Sequence, residues 1–182
     1  KRLVAGRIEI LAGVFGGYGY GGDGGPAATA KLAAPAGIAY RGAELFVVDA
    51  GNFAIRRIDA GGTIATVVRR GPVGQPTAAD YDPLSVPMVS PIACAVGPRG
   101  DFYWADPQGA VIYRLRADGS RVEVVAGQFK LLGEGGDGGP ARDAVVKAPF
   151  GMAFSPAGDL YFCDSGNLTV RKIAGGEPSG TI

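Results

Sequence analysis

A chain of 182 residues with 47% hydrophobic and 19% charged side chains has the composition of one globular domain or part of one, which excludes a disordered chain. The formal net charge is +1 and no basic run is longer than a pair, so there is no electrostatic footprint for nucleic acid. No apolar run approaches the ~18 residues that a bilayer-spanning helix needs. We therefore predict no nucleic-acid partner and no membrane insertion by this segment.

The 32 glycines and 13 prolines lie between apolar runs, as expected for the turns of a strand-rich fold. A first strand is predicted at residues 7–13, which resemble residues 121–127 near the end of a later repeat. Residues 1–13 are therefore interpreted as the last strand of a preceding unit. A glycine-rich loop follows, and Pro26 at its end favours a turn or two of helix at residues 26–34. The loop ends in the pentad Gly22, Asp23, Gly24, Gly25 and Pro26.

A fourteen-residue segment occurs three times, at residues 45–58, 102–115 and 160–173. Each copy predicts a β-hairpin, because a short apolar strand, a polar turn and a second strand follow one another. In the first and third copies the turn is Asp-x-Gly-Asn, whose Asp is expected to bond its own backbone and whose Gly is expected to take a positive φ. The repeated residues are Asp49, Gly51, Asn52 and Arg56, and Asp164, Gly166, Asn167 and Arg171.

The middle copy departs from this pattern. Its turn runs from Asp106 to Gly109 without the Asn, and Tyr113 stands where the other two copies have arginine. A role of that Asn or Arg therefore does not carry over to the middle copy.

Each hairpin is flanked by one further predicted strand on either side, so that one repeat has four short antiparallel strands. The repeats span residues 35–69, 90–127 and 149–182, and the last is cut within its fourth strand. Residues 69–90 form a polar insertion, whereas the next connector repeats the pentad as Gly136, Asp137, Gly138, Gly139 and Pro140. Such units cannot bury both faces alone, which predicts an all-β fold, a β-propeller of four-stranded antiparallel blades.

These residues resemble the NHL-repeat propellers. The pattern Pro-x-Gly-apolar-Ala, Gly-x-Leu-aromatic, Asp-x-Gly-Asn and Arg-basic-Ile is similar to that family's repeat over almost the whole chain. The Gly-Asp-Gly-Gly-Pro connectors resemble those of large secreted or surface-anchored members, including bacterial NHL proteins and the propeller of teneurins. The resemblance implies a six-bladed ring in which this chain forms about three blades, continued by further blades or by a partner chain. It implies an extracellular or cell-surface location, with an intracellular one as the alternative.

Several motifs have a simpler structural interpretation than a functional one. Asp49, Asp106 and Asp164 could serve a metal or a partner, but an Asx-turn is the common use of Asp at such positions. Residues 17–22 satisfy G-x-G-x-x-G without the βαβ unit that a dinucleotide site needs. The loops of Asp23 and Asp137 have a calcium-like composition but too few carboxylates for the ~6–8 oxygens of a Ca²⁺ site. No cofactor is predicted.

Two cysteines, Cys94 and Cys163, lie in separate apolar runs and form no C-x-x-C pair. We expect buried free thiols, because free Cys behaves as a small hydrophobe, and a bridge between neighbouring repeats stays open.

The chain contains no His, which removes the commonest general base and all His-based metal sites from these residues. We predict a non-enzymatic structural scaffold whose loop faces contact other proteins. One alternative is a metal-dependent lyase or hydrolase propeller whose catalytic residues lie outside this chain. The other is a carbohydrate- or small-ligand-binding propeller, to which Tyr18, Tyr20 and Trp104 would contribute aromatic surface.

Overall fold

The structure is a computed structural model that describes residues 2–4, 6–71 and 80–182. In these ranges the regular elements are short strands and single 3₁₀ turns, and the strands form four antiparallel sheets. The predicted all-β fold with antiparallel sheets is confirmed. The strands are β1 (Arg2–Val4), β2 (Arg7–Glu9), β3 (Pro35–Arg41), β4 (Glu44–Asp49), β5 (Ala54–Ile58), β6 (Ile64–Arg69), β7 (Asp80–Tyr81), β8 (Cys94–Val96), β9 (Phe102–Asp106), β10 (Val111–Leu115), β11 (Val122–Ala126), β12 (Pro149–Phe154), β13 (Leu160–Asp164) and β14 (Thr169–Ile173).

Three of the sheets follow the three sequence repeats, and we call them blades. Blade one has the order β3-β4-β5-β6, blade two β8-β9-β10-β11, and blade three β12-β13-β14. The hairpin of blade one pairs Leu45 with Ile58 and Asp49 with Ala54, which places its polar turn at one end of the blade. Because neighbouring strands run antiparallel, the turns before β4 and after β5 lie at the opposite end.

The structure differs from the sequence predictions at the edges of the repeats. The predicted strand at residues 7–13 ends at Glu9 and pairs with β1. The predicted fourth strand of the third repeat is reduced to a single bridge between Thr181 and Pro140. The insertion at residues 69–90 adds β7 to the outer edge of blade two, beside β11. Residues 72–79 of that insertion lie outside the described residues.

The helix predicted at residues 26–34 is also shorter than expected. It is one 3₁₀ turn, Ala27–Thr29, and the same turn recurs at Ala141–Asp143. The following alanines, Ala30 and Ala144, already have extended backbone, so the chain turns directly toward the next blade.

The core lies between the blades. Blade one contributes Phe46, Val48 and Ile55, which pack against Phe102 and Trp104 of blade two. A second apolar layer of the same kind joins blade two to blade three, with Tyr103, Ile112, Leu160, Phe162 and Ile173. The middle strands of blades one and two therefore have both faces covered, which agrees with their continuous apolar sequences. In blade three only one face of β13 is buried.

Candidate functional site

The glycine-rich connector before blade one is fastened to that blade through one arginine. Arg56 on β5 is fully buried, and its guanidinium lies 3.3 Å from the Asp49 carboxylate and 2.5 Å from the Asp23 carboxylate. The same guanidinium donates to the carbonyl of Gly21 at 3.2 Å. Asp49 belongs to the hairpin turn and Asp23 to the connector, so Arg56 joins two distant segments. We call Asp23, Asp49, Asn52 and Arg56 the first latch.

Asn52 completes this latch from the hairpin turn. Its side-chain amide donates to Asp49 Oδ2 at 2.7 Å and to the carbonyl of Gly19 at 2.8 Å. An Asn side chain has two N–H donors, so one residue can serve both the carboxylate and the connector.

Blade three repeats the arrangement with the pentad of the second connector. Arg171 lies 3.3 Å from the Asp164 carboxylate and 2.5 Å from that of Asp137, and it donates to the carbonyl of Gly135 at 3.0 Å. Asn167 donates to Asp164 Oδ2 at 2.9 Å and to a connector carbonyl at 2.6 Å. We call Asp137, Asp164, Asn167 and Arg171 the second latch.

The backbone N–H groups that the hairpin aspartates of the two latches accept come from the chain just before their blade and not from their own turn. Asp49 accepts the backbone N–H of Ala33 at 2.7 Å, and Asp164 accepts that of Lys147 at 2.7 Å. Neither side chain caps the 3₁₀ turn that follows it, so the Asx-turn interpretation is wrong for these two residues. The physical reason is that Ala33 is buried just before β3, where its N–H needs an acceptor.

The glycine of each hairpin turn serves close packing and not a positive φ. The left-handed residues are Phe53, with a φ of 49°, and Leu168, with a φ of 59°. A Cβ on Gly51 would lie 2.9 Å from the Cβ of Ala33, and a Cβ on Gly166 would meet the chain just before β12 in the same way. The predicted positive φ at these glycines is therefore wrong.

Blade two has backbone donors where the others have an arginine. Tyr113 is fully buried and donates to the carbonyl of Pro87 at 2.6 Å. Burial raises the pKa of Asp106, and hydrogen bonds from three backbone N–H groups oppose that shift. These groups belong to Val89, Ser90 and Gly109, at 2.6, 2.8 and 3.0 Å. Of the three hairpin aspartates this one alone accepts a backbone N–H of its own turn. The connector here has no pentad and therefore no residue equivalent to Asp23 or Asp137.

The pentad glycines let the connector approach the chain that follows it. Gly22 has a φ of 91°, and a Cβ there would lie 2.7 Å from Cα of Ala30; Gly136 has a φ of 86° and the same relation to Ala144, at 2.6 Å. Gly24 and Gly138 also have positive φ, but no atom lies within 4 Å of the position that their Cβ would take. The N–H groups of Gly25 and Gly139 donate to the carbonyls of Gly22 and Gly136 at 3.1 and 3.0 Å. Pro26 and Pro140 precede the 3₁₀ turns with a φ of −62°.

Two alanine substitutions in one pentad should separate backbone strain from packing. We expect Gly24→Ala to cost about 1–2 kcal/mol, because only the positive φ is unfavourable there. Gly22→Ala should cost about 1–3 kcal/mol more, because its Cβ also meets backbone atoms that cannot rotate away. Urea unfolding of both variants measures the difference. Equal losses of stability would show that the approach of Gly22 to Ala30 does not constrain the chain.

Because of the first latch, the stability of the folded chain should decrease at acid pH. Partial burial would raise the pKa of Asp23, but the hydrogen bonds from Thr66 and Arg56 and the charge of Arg56 hold it below its ordinary value of 3.8. A lowered carboxyl pKa contributes stability that is complete above 3.8 and is lost as the pH falls through the lower folded value. We expect the melting temperature to drop in that window and the drop to be smaller in Asp23→Asn. If the melting temperature of Asp23→Asn fell with pH as steeply as that of the unsubstituted chain, the lowered pKa of Asp23 would be contradicted.

Calcium is expected to leave the melting temperature unchanged. Asp23 and Asp137, which carry the calcium-like composition, each face an arginine at 2.5 Å, so the guanidinium already occupies the position that a cation would take. A ligand that binds the native state alone must raise its stability, so thermal melts with and without Ca²⁺ measure the effect. A clear rise would show that the loop carboxylates bind the ion instead of the arginines.

A second polar cluster lies at the opposite end of the blades, between blades two and three. Arg114 reaches Glu123 at 2.5 Å and Glu177 at 2.6 Å, and Arg99 and Arg116 pair with the same two carboxylates. These side chains line a shallow depression of about 360 Å³. This cluster has no sequence signature, because Arg114 and Glu123 lie on β10 and β11 whereas Arg99 and Glu177 lie in separate loops.

The aromatic residues that favoured a carbohydrate site do not form one surface. Trp104 is fully buried and stacks on Tyr113 with 5.2 Å between ring centroids. Tyr20 packs under Arg56 and Arg69, with each guanidinium 5.0 Å from its ring. Tyr18 is exposed.

The expectation of two buried thiols holds only in part. Cys94 is half-buried, and burial raises its pKa to about 12. Cys163 is exposed, because it lies on the outer face of the last blade, and both thiols are free.

The part of the chain that the structure describes contains no cluster of three His, Cys, Asp or Glu residues suited to a metal ion. None of the helices in the same residues has the length and apolar character needed to cross a membrane.

Comparison with known structures defines the class of the fold. An auxiliary nutrient binding protein from Bacteroides ovatus matches with a TM-score of 0.58 and 19% identity, over 84% of this chain and 36% of that chain. A chain in the nidogen/laminin complex matches with a TM-score of 0.57 and 19% identity, over 81% of this chain and 46% of that chain. Together with the stacked antiparallel sheets, these likenesses support a β-propeller type of fold.

A closer likeness in sequence covers a short stretch. Human teneurin-1 is 54% identical over 39 residues, which are 21% of this chain and 1% of teneurin-1. Chicken teneurin-1 is 49% identical over the same length. No protein-family model matches the chain. The chain therefore spans a very small part of the teneurins and less than half of the two structural neighbours.

Proposed function

We propose that this chain is a non-enzymatic protein-interaction scaffold, an NHL-type propeller segment of a larger extracellular or cell-surface protein. The observation that carries the proposal is the pair of latches, which fasten two connectors at the hairpin end of the blades. The two copies of Asp-x-Gly-Asn, each with an arginine paired to its Asp, and the stretch shared with teneurin-1 support the NHL assignment.

The fastened connectors leave apolar side chains in solvent. Tyr18 and Leu132 occupy equivalent positions in the two connectors, where backbone bridges to Leu32 and Val146 hold them, and both are exposed. Leu131 is exposed beside Leu132. A loop that is already ordered loses little entropy when it binds, so exposed apolar groups on it favour protein contact. The chain of similar fold in the nidogen/laminin complex is itself part of a protein complex, which agrees with a protein partner.

The repeated carboxylates do not favour catalysis by this chain. Asp49, Asp106 and Asp164 are fully buried, and each accepts hydrogen bonds from the chain itself. A general acid or base has to reach the reacting group of a substrate within hydrogen-bond distance. This supports the proposal that the function of this chain is binding.

Site-specific photocrosslinking in the full-length protein, in the cells that produce it, tests this proposal. A photoreactive amino acid at Tyr18 or Leu132 should give a discrete protein adduct. The matched control is the same amino acid at Asp118, an exposed turn residue at the opposite end of the blades, which should give none. Equal adducts at both ends would contradict a binding face at the connectors, and an adduct of glycan size would favour the carbohydrate-binding alternative.

A further inference from the structure

A small cleft opens between blades one and two at their hairpin end, and its volume is about 110 Å³. Its apolar lining consists of Pro87, Met88, Val89 and Phe129, and its basic lining consists of Arg70 and Lys130. Met88 is buried at the bottom of the space between the two blades. The cleft therefore lies between two blades of this chain and not on the outer face of the first or last blade.

The two basic residues of the cleft have no acidic partner. Arg70 follows β6 and Lys130 follows β11, and neither side chain pairs with a carboxylate among the residues that the structure describes. Residues 72–79, which lie outside those ranges, contain no acidic residue. Two positive charges without counterions beside an apolar cleft favour a ligand that combines a negative charge with an apolar group.

Arg70 is already ordered for such a ligand. Its guanidinium lies over the ring of Phe53, with 3.7 Å from Cζ to the ring centroid, and its backbone N–H donates to the carbonyl of Phe53 at 3.0 Å. A ring contact this short uses the face of the guanidinium and leaves the N–H groups in its plane for another partner. A carboxylate can accept two parallel hydrogen bonds from that edge.

Lys130 occupies a position where the first connector has Gly16. The turn of residues 14–17 recurs at residues 128–131, and both residues have a left-handed backbone, with φ of 73° for Gly16 and 61° for Lys130. Glycine adopts this conformation without steric cost, whereas a residue with a Cβ does not. Backbone preference therefore does not account for the lysine, which favours a role of its side chain in binding.

The size of the cleft limits what it can hold. One water occupies about 30 Å³ of the liquid, so the cleft has the volume of about four waters, whereas sites for whole small ligands have about 300–1,000 Å³. The C-terminal residue of a protein carries a side chain and a carboxylate on the same Cα. One apolar C-terminal residue therefore supplies both groups, whereas an internal acidic residue would need a second residue to fill the apolar part.

We propose that this cleft binds the apolar C-terminal residue of a partner protein. The side chain of that residue packs against Met88 and Phe129. Its carboxylate lies between Arg70 and Lys130. This inference rests on the proposed function, because it names the group through which a protein partner meets the hairpin end of the blades. The partner's preceding residues would then pass the exposed Leu132 of the second connector.

Fluorescence anisotropy with the full-length protein tests the proposal. The probe is a fluorescein-labelled Gly-Ser-Gly-Leu peptide with a free C-terminal carboxylate, and its matched control is the same peptide ending in a carboxamide. We expect the acid to bind about tenfold more tightly than the amide, because the amide lacks the charge that the two cations recognise. Added salt should weaken the binding of the acid. Equal binding of acid and amide, or no binding of the acid, overturns the proposal.

The variant Lys130→Gly separates a binding role from a structural one. Glycine suits the left-handed backbone, so this variant should melt at an equal or higher temperature while it binds the acid about tenfold more weakly. Arg70→Met keeps an apolar side chain on Phe53 and should weaken binding by a similar factor. The matched control is Arg121→Met, since Arg121 is exposed at the opposite end of the blades, and its binding should not change. Unchanged binding by Lys130→Gly would refute the carboxylate site.

Two further ligands distinguish a C-terminal residue from other carboxylates. A peptide amide with Asp before its last Leu presents an acidic side chain, and N-acetylleucine is a small free acid. Both should bind more weakly than the acid peptide. If either bound as tightly, the assignment to the C-terminus of a protein would be wrong.

This proposal and the scaffold function fail separately. A protein adduct at Leu132 without binding of the acid peptide would remove the C-terminal site and leave the scaffold function. Binding of the acid peptide without an adduct at Tyr18 or Leu132 would leave the cleft and remove the binding face at the connectors.

Discussion

Replacing Arg56 by methionine is expected to destabilise the chain by about 3–5 kcal/mol, the range for a buried ion pair that loses one partner. Arg56 and Asp49 are both fully buried, so the substitution would leave the carboxylate without its cation in a dry environment. It would also release Asp23 and the carbonyl of Gly21 from the blade. Chemical denaturation measures the loss, and limited proteolysis within residues 14–25 should accelerate.

Arg57→Met is the matched control for this variant. Arg57 is adjacent on the same strand but half-exposed, and its contact with Glu44 is 3.3 Å long. Exposed ion pairs contribute about 0–1 kcal/mol, so the control should lose no more than that. Adding Asp49→Asn to Arg56→Met should recover stability, because the uncompensated charge is removed. An Arg56→Met variant no less stable than Arg57→Met would contradict the latch.

Phe102→Ala is expected to cost about 3–5 kcal/mol, the range for removing a buried aromatic ring. Phe102 is fully buried between two other rings, 4.9 Å from Phe46 of blade one and 6.1 Å from Trp104 of its own blade. Removing it opens the layer that joins the two blades. Trp104 is the only tryptophan in the chain, so its emission should shift toward that of a wetter environment while denaturant unfolding reports the stability.

Tyr18→Ala is the control for the loss of an aromatic ring. Tyr18 is exposed on the first connector, and surface substitutions of this kind usually change stability by about 0.5 kcal/mol or less. If Phe102→Ala were equally mild, the ring stack would not be what holds blades one and two together. With a total stability of about 5–15 kcal/mol, a 3–5 kcal/mol loss is a large part of it.

The fold was predictable from the sequence where the signals are local. The run at residues 45–48, the polar turn and the returning strand specify a hairpin within one segment, and the observed register pairs Leu45 with Ile58. The three spaced copies specify a repeat, and their continuous apolar runs indicate strands covered on both faces. The extent of the elements at the repeat edges was less predictable. There the predicted helix became one 3₁₀ turn, and the polar insertion contributed β7.

The candidate site was predictable only as a set of residues. The sequence singled out Asp49, Asn52 and Arg56 and, separately, Asp23 in the connector. It assigned the hairpin Asp to its own turn because an Asx-turn is the nearest local partner available to such a residue. In the structure Asp49 accepts a hydrogen bond from Ala33, 16 residues away, and Asp23 pairs with Arg56, 33 residues away.

The amino-acid sequence by itself determined the repeat, the hairpins and the turn residues, because these depend on alternation and backbone preference within a few residues. The tertiary structure alone decided which charges meet and which apolar faces are covered. An arginine pairs with whichever carboxylate the stacked sheets bring within 4 Å, and a strand is covered only when a neighbouring blade lies on it. For that reason Arg56 and Tyr113 occupy equivalent positions with different partners, and Val170 and Ile55 equivalent positions with opposite exposure.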